Sequence, residues 1–232
     1  MENRHYAQTY EGAQSFVYRV FGWMAYALAL TGFTAYYIAI TPSLSNLFLK
    51  NGLVLMLLFL GQIGLVVALS AAITRLSYSA AFTMFSIYSV LTGITLSTIF
   101  LFFTTASIAS VFFITAGMFA SFALYGAFTK ANLTSMGSIL RMALWGIIIS
   151  LLVNIFLRSQ TFDLIISIIG VVVFAGLTAY DIQKITALAR QTDVAESEFG
   201  KVLSINAALQ LYLDFVNLFL NLLTLFGQRK DR

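Results

Sequence analysis

The sequence predicts an all-α membrane protein with seven transmembrane helices, and three observations carry that prediction. Apolar runs of about 20 residues, the length that crosses roughly 30 Å of hydrocarbon as a helix, recur along nearly the whole chain. Hydrophobic residues make up 60% of the 232 and charged residues 9%, where a soluble domain carries about 25% charged. The connections between the runs are short, and most of the charge lies in them and in the two tails.

The first run is Val20–Ile40. The tail before it, residues 1–19, carries Glu2, Arg4, His5 and Glu11, and no small-residue cleavage site follows the run, so it reads as a retained span and not a signal peptide. The lone His5 lies in that tail and receives no role. The second run is Leu53–Ile73, and the third is Tyr78–Phe103, with its ends open by several residues. Ser89, Gly93 and Ser97 recur every four residues on the third run, and Gly117 with Ser121 repeats that spacing on the fourth, Ile108–Phe128. Small residues so spaced let helix backbones approach closely, and packing is their expected role. The fifth run is Met136–Leu157 and the sixth Phe162–Asp181. The polar segment Gln183–Lys201 that follows reads as a loop or surface helix, and the seventh run is Val202–Phe226. With no internal repeat and no low-complexity tract, residues 20–226 form one transmembrane domain, and residues 227–232 a C-terminal tail.

Charge sets the orientation. A cytoplasmic N-terminus puts Arg4, Arg19, Arg75, Lys130, Arg141, Lys184, Arg190 and Lys201 on the inner side and leaves Lys50 and Arg158 outside, apart from the basic tail Arg229, Lys230 and Arg232. That asymmetry satisfies the positive-inside rule. The tail alone pulls the other way, toward an even number of spans with one re-entrant run. The small net charge of +4 is spread over loops and not clustered with aromatics, which argues against nucleic acid as a partner. The lipid bilayer is the partner the composition requires. With no cysteine, disulfides, thiolate metal sites and cysteine nucleophiles are excluded.

Asp181 and Asp214 are the acids that fall within the long apolar stretches. A carboxylate near the centre of a membrane helix costs about 2.5–3.5 kcal/mol on insertion scales, so each marks a functional site by default. Asp214 sits at the midpoint of a polar stripe, Asn206, Gln210, Asp214, Asn217 and Asn221, spaced 4, 4, 3 and 4 along one face of the last run. In hydrocarbon those amides need partners, so the stripe faces protein or water, and interhelical bonding explains the Asn and Gln residues without further function. Asp181 has a local alternative, pairing with Lys184 three residues on. Counted from the outer ends of their runs at 1.5 Å per residue, Asp181 lies about 27 Å deep and Asp214 about 18 Å, so a meeting needs roughly 9 Å from helix tilt. Arg75, just past the second run, is the candidate cation for the pair, with an ordinary loop arginine as the plain alternative.

The segments Gly176-Leu-Thr-Ala-Tyr-Asp-Ile-Gln-Lys184, Leu211-Tyr-Leu-Asp-Phe-Val-Asn-Leu-Phe-Leu220 and Leu91-Thr-Gly-Ile-Thr-Leu-Ser97 resemble the Bax inhibitor family of membrane proteins, its bacterial members above all. The resemblance covers nearly the whole chain. It implies a seven-helix fold in which a central last helix is wrapped by the other six, and a pH-sensitive calcium leak. It also implies that paired aspartates on the last two helices, here Asp181 and Asp214, act as proton sensor, with a basic residue of the second helix, here Arg75, in the same gate. A bacterial inner membrane location follows from the same likeness. The second run carries Gln62 and no acid.

The chemistry suits a sensor. Two carboxylates within hydrogen-bond reach do not both ionise cheaply, and sharing one proton ties two helices together. Losing it leaves two negative charges that must separate, recruit a cation or bind calcium, and each of these moves the helices. Carboxylate, amide and carbonyl oxygens are hard ligands suited to Ca²⁺. With no EF-hand pattern, Asp181 and Asp214 would give a weak calcium contact, calcium being the permeant ion and no cofactor being tightly bound. An aspartyl intramembrane protease would use such a pair, but Asp214 follows Tyr212 and Leu213 where that signature requires Gly-x-Gly-Asp, and no enzyme is expected. The other readings are a proton-coupled transporter and a non-conducting protein that binds and modulates another membrane complex, such as a membrane-bound AAA protease.

Overall fold

The structure, a computed structural model, describes residues 2–49, 51–190 and 197–230, the side chains of residues 2–11 and 49 excepted. The described residues form nine helices: α1 (Glu2–Ile40), α2 (Pro42–Leu49), α3 (Gly52–Ala71), α4 (Tyr78–Leu96), α5 (Ile99–Phe102), α6 (Thr105–Phe128), α7 (Thr134–Leu157), α8 (Gln160–Ala189) and α9 (Glu198–Phe226). They supply seven segments long and apolar enough to cross a membrane, with α4 and α5 forming the third together. The all-α, seven-span architecture expected from the sequence is the one observed.

Local chemistry sets the boundaries. Asn51 caps α3 by accepting from the Leu53 and Val54 amides, and the Ser77 and Thr104 hydroxyls cap α4 and α6, each satisfying amides that the first helical turn leaves open. The third span breaks at Ser97–Thr98, where the Ser97 hydroxyl donates to the Ile94 carbonyl and the Thr98 hydroxyl to the Thr95 carbonyl. Hydroxyls that take up helix carbonyls in this way let a helix bend inside hydrocarbon without stranding polar groups.

Two spans run longer than their hydropathy suggests. α1 includes residues 12–19, and its buried positions Phe16, Val20, Met24, Ala27, Thr31, Ala35 and Ile38 form one stripe at steps of four and three. α8 continues eight residues past Asp181, because Ile182, Ile185 and Ala189 extend its buried face. The polar segment expected as a loop or surface helix is therefore split. Its beginning completes α8, residues 191–196 lie outside the described residues, and its end starts α9.

The chain divides into two compact units, Met1–Phe102 with Ala187–Tyr212, and Phe103–Thr186 with Leu213–Arg232. In the first, α1 and α4 run parallel. Trp23 packs on Tyr78 near one end, with ring centroids 6.2 Å apart, and Tyr36 on Phe100 near the other. Between them Gly93 lets the backbones close, since a Cβ there would lie 2.6 Å from Thr34 Cβ and 2.7 Å from the Thr31 carbonyl oxygen. The Ser89, Gly93 and Ser97 stripe is thus a packing seam, with both serines fully buried. α3 reaches α4 through Gln62, whose amide donates to the Leu91 carbonyl and the Thr95 hydroxyl.

In the second unit α6, α7, α8 and the end of α9 pack together. Phe112 and Phe119 of α6 meet Phe215 at centroid distances of 5.4 and 5.5 Å. The expected seam at Gly117 and Ser121 does not form: both are exposed, and a Cβ at Gly117 would touch nothing within 4 Å. The close approach lies at Gly126, where a Cβ would overlap the Ala179 carbonyl of α8. At the far end of α9, Phe103 and Arg229 form an antiparallel bridge, the Thr104 amide donates to the Gln228 carbonyl, and the Gln228 amide donates to the Ser107 hydroxyl at 2.7 Å. The segment after α9 and the connection into α6 therefore lie at one end of the unit, as an odd number of spans requires.

Exposure matches a bilayer environment. Phe113, Phe128, Trp145 and Phe156 are among the many large apolar side chains left open, more than a water-soluble surface tolerates. α9 is the opposite case, with every residue from Lys201 to Leu225 buried or half-buried.

Candidate functional site

The motif on α8 earns its residues one by one. A Cβ at Gly176 would lie 2.7 Å from Leu140 Cδ1, so glycine there admits α7. The Ala179 carbonyl fills the space left by Gly126, and the Tyr180 ring fills the space left by Gly137 on α7. The Arg141 guanidinium sits over that ring, 5.3 Å from its centroid, in cation–π geometry. Gln183 donates to the Ala131 carbonyl at 2.8 Å and accepts from the Leu133 amide at 2.9 Å, clamping the α6–α7 connection. Residues 176–183 are thereby fixed on α6 and α7, and Asp181 is held in place among them.

Asp181 faces Asp214 of α9 within reach of a carboxyl–carboxyl hydrogen bond. Asp214 is buried, at 6% exposure, and its Oδ2 meets no hydrogen-bond donor among the described residues, whereas Asp181 is half-buried. As two anions the pair would repel, and no donor among the described residues compensates the buried Asp214 Oδ2. With one proton between them each carboxyl satisfies the other.

The charges around the pair are unequal. Lys184 of α8 and Arg141 of α7 act on Asp181, while the charged group acting on Asp214 is Asp181 itself. Arg75, the cation put forward from the sequence, is an exposed residue of the α3–α4 turn in the first unit. Arg141 escapes sequence reasoning because its nearness to Asp181 follows from how α7 packs on Tyr180, for which the chain gives no periodic signal.

The two helices accommodate their difference in depth gradually. Gly170 of α8 packs on Asn221 of α9. From there to the carboxyl pair α8 advances about 16.5 Å and α9 about 10.5 Å, so α8 runs oblique to α9.

The polar stripe of α9 faces protein. Asn206 donates to the Leu69 carbonyl of α3 at 3.3 Å, and Gln210 donates to Asn206. Asn217 and Asn221 donate to the Leu213 and Asn217 carbonyls of their own helix. Asp163 also falls within the sixth run, beside the two acids put forward from the sequence, and lies in the first turn of α8, where it accepts from Asn154, whose amide also brackets Ser159. A carboxylate at a helix N-terminus is stabilised by the helix dipole, and this one fixes the α7–α8 corner. Among the described residues no three His, Cys, Asp or Glu side chains group as metal ligands.

Comparison with known proteins adds a lineage to this geometry. Residues 13–231 match the family described as "Inhibitor of apoptosis-promoting Bax1". The chain is 46% identical over 219 residues to Inner membrane protein YbhL of Escherichia coli (strain K12), covering 94% of each chain. It is 44% identical to a protein of Borreliella burgdorferi over 216 residues, 93% of each chain. A protein of Rickettsia prowazekii is 39% identical over 221 residues, 95% of this chain and 92% of its own.

Proposed function

The chain belongs to the Bax inhibitor family of membrane proteins, and from that premise we propose that it is a pH-sensitive calcium leak gated by the Asp181–Asp214 pair. The observation that carries this reading is the placement of two facing carboxyls, one of them buried, on apolar membrane helices. A packing contact does not need ionisable groups there, and a proton-linked one does. Asp181, half-buried and near Lys184 and Arg141, is the member that exchanges protons with the aqueous side. Asp214 reaches protons through it. Loss of the shared proton parts α8 from α9, with Arg141 and Lys184 as countercharge on the Asp181 side and Arg75 as the basic residue at the end of the second span. The carboxylates then offer a passing Ca²⁺ a weak oxygen contact, suited to a permeant ion and not to a stored one. The name of YbhL places that relative in an inner membrane. We place this chain in the bacterial inner membrane as well, with its N-terminus cytoplasmic by the positive-inside rule.

Calcium influx into dye-loaded liposomes, recorded from pH 6 to 8 for the wild type and Asp214→Asn, tests the reading. A pH-dependent flux with a midpoint near neutrality that the substitution abolishes or renders pH-independent is expected. Background traces from folded, inserted wild-type protein overturn it.

The exposed face of α3 favours a second reading. In that span only Leu69 is buried and no acid is present, so a long apolar surface is open to lipid or to another membrane protein. A non-conducting modulator of a membrane complex, such as a membrane-bound AAA protease, would keep its partner when Asp181 and Asp214 are both replaced by Asn. A leak would lose its flux.

A further inference from the structure

Arg141 is the one charged residue of α7 and lies inside its span. It is exposed, as are Ser138, Trp145 and Leu152 on the same face of the helix, so that face looks onto lipid. Arg141 stands seven residues past Thr134, about 10.5 Å along the axis. Side chains on a helix lean toward its N-terminus, and the guanidinium follows that rule. It sits over the Tyr180 ring, 5.3 Å from the centroid, and the ring fills the space left by Gly137 one turn earlier. The charge is thereby carried back toward the interface at the start of α7.

Lys184 stands one turn beyond Tyr180 on α8, where residues four apart share a face, and it too is exposed. Neither cation forms a salt bridge or a hydrogen bond among the described residues. Both act on Asp181, but with one proton on the carboxyl pair a single negative charge serves two positive ones. The surplus charge lies at a lipid-facing surface, together with guanidinium N–H donors that a ring contact leaves without oxygen acceptors. Phosphate oxygens answer both needs, since a guanidinium presents a fork that two of them fill and an ammonium adds a point charge beside it.

We propose that Arg141 and Lys184, braced by Tyr180, form a binding site for the phosphate of an anionic phospholipid in the leaflet that meets the start of α7, the inner one in the orientation given above. Every residue of the site belongs to the second compact unit, and the site stands whether or not the chain conducts. A lipid seated there runs its acyl chains along the exposed face of α7 past Trp145, about 12 Å deeper than Gly137.

Trp145 reports on that lipid. The chain has two tryptophans, and Trp23→Phe leaves Trp145 as the only one; should that variant fail to insert, the difference between the wild type and Trp145→Phe gives the same signal. The protein is reconstituted in vesicles of mixed phosphatidylglycerol and phosphatidylcholine, with bromine on the chains of one lipid or the other. Brominated phosphatidylglycerol is expected to quench Trp145 more strongly than brominated phosphatidylcholine. Near an anionic lipid surface each cation is worth about a fivefold gain in affinity, so Arg141→Gln and Lys184→Gln each lower the preference by about that factor. If Arg141→Gln fails to insert, Lys184→Gln decides. Arg158→Asn removes one charge at the far end of α7, at a left-handed position that asparagine tolerates, and leaves the preference unchanged. Equal quenching by the two lipids in the otherwise wild-type protein overturns the site. An equal loss in Arg158→Asn reduces the preference to bulk charge attraction and overturns it as well. Excess inorganic phosphate, at matched ionic strength, leaves the preference intact when a lipid headgroup is the ligand, and collapse of the preference would assign the site to free phosphate instead.

Discussion

Gly126 and Gly117 lie on the same helix, yet the fold uses them differently. A side chain at Gly126 would overlap the Ala179 carbonyl, and one at Gly117 would meet open space. Gly126→Val is expected to lower stability by about 1–3 kcal/mol through overpacking. Gly117→Ala should raise it by about 0.5–1 kcal/mol by relieving helix-interior glycine. Thermal unfolding of the detergent-solubilised protein measures both. Gln183→Leu removes the two bonds to the α6–α7 connection, and the same assay should register a loss of about 1–3 kcal/mol, because the Leu133 amide is left without its side-chain partner. At this scale the sequence is informative about charge and mute about contact. Asp181 and Asp214 stand out because an acid in an apolar run is costly wherever the chain goes. Arg141, Gly126 and Gly137 do not, since their importance depends on which backbones meet, and a glycine that admits a neighbour reads like one that faces lipid.

Among the helices, α9 shows how polar groups are kept in a membrane fold. Asn206 spends its amide on another helix, at the Leu69 carbonyl, and Asn217 spends its own on the carbonyl of Leu213 in the same helix. Asn206→Leu should therefore destabilise by about 0.6–1.7 kcal/mol, from the average to the largest value for hydrogen bonds between membrane helices, and Asn217→Leu by less. Paired unfolding curves distinguish them, and equal losses would show that the stripe acts as a unit. The number and order of the spans were legible because apolar length is a direct consequence of bilayer thickness. The true extents of α1 and α8 were not, because hydropathy falls at Arg19 and Lys184 while the buried stripe continues past them through Phe16 and Ile185. Long cationic side chains reach the interface from within such a helix and need not end it. The break at Ser97 was equally hidden, being made by hydroxyls that elsewhere on α4 merely bond the preceding turn.

For the molecule as a whole, the bridge between Phe103 and Arg229 sets the topology of the second unit. Arg229 and the α7–α8 corner at Arg158 share one end, and the α6–α7 connection at Lys130, clamped by Gln183, forms the other. The chain has no cysteine of its own, so single Cys replacements of Arg158, Arg229 and Lys130 can be probed directly with a membrane-impermeant thiol reagent on intact cells. Positions 158 and 229 should label from outside and position 130 only after permeabilisation. Labelling of 229 together with 130 would mean an even number of crossings. The same bridge bears on how the protein is made. The Ser107 hydroxyl finds its partner, the Gln228 amide, 121 residues later in the chain, which at 5–20 residues per second is a delay of roughly 6–24 s on the ribosome. One end of the second unit thus stays open until Gln228 and Arg229 emerge, so a nascent chain released just short of Gly227 would carry all seven spans described above and still lack this closure.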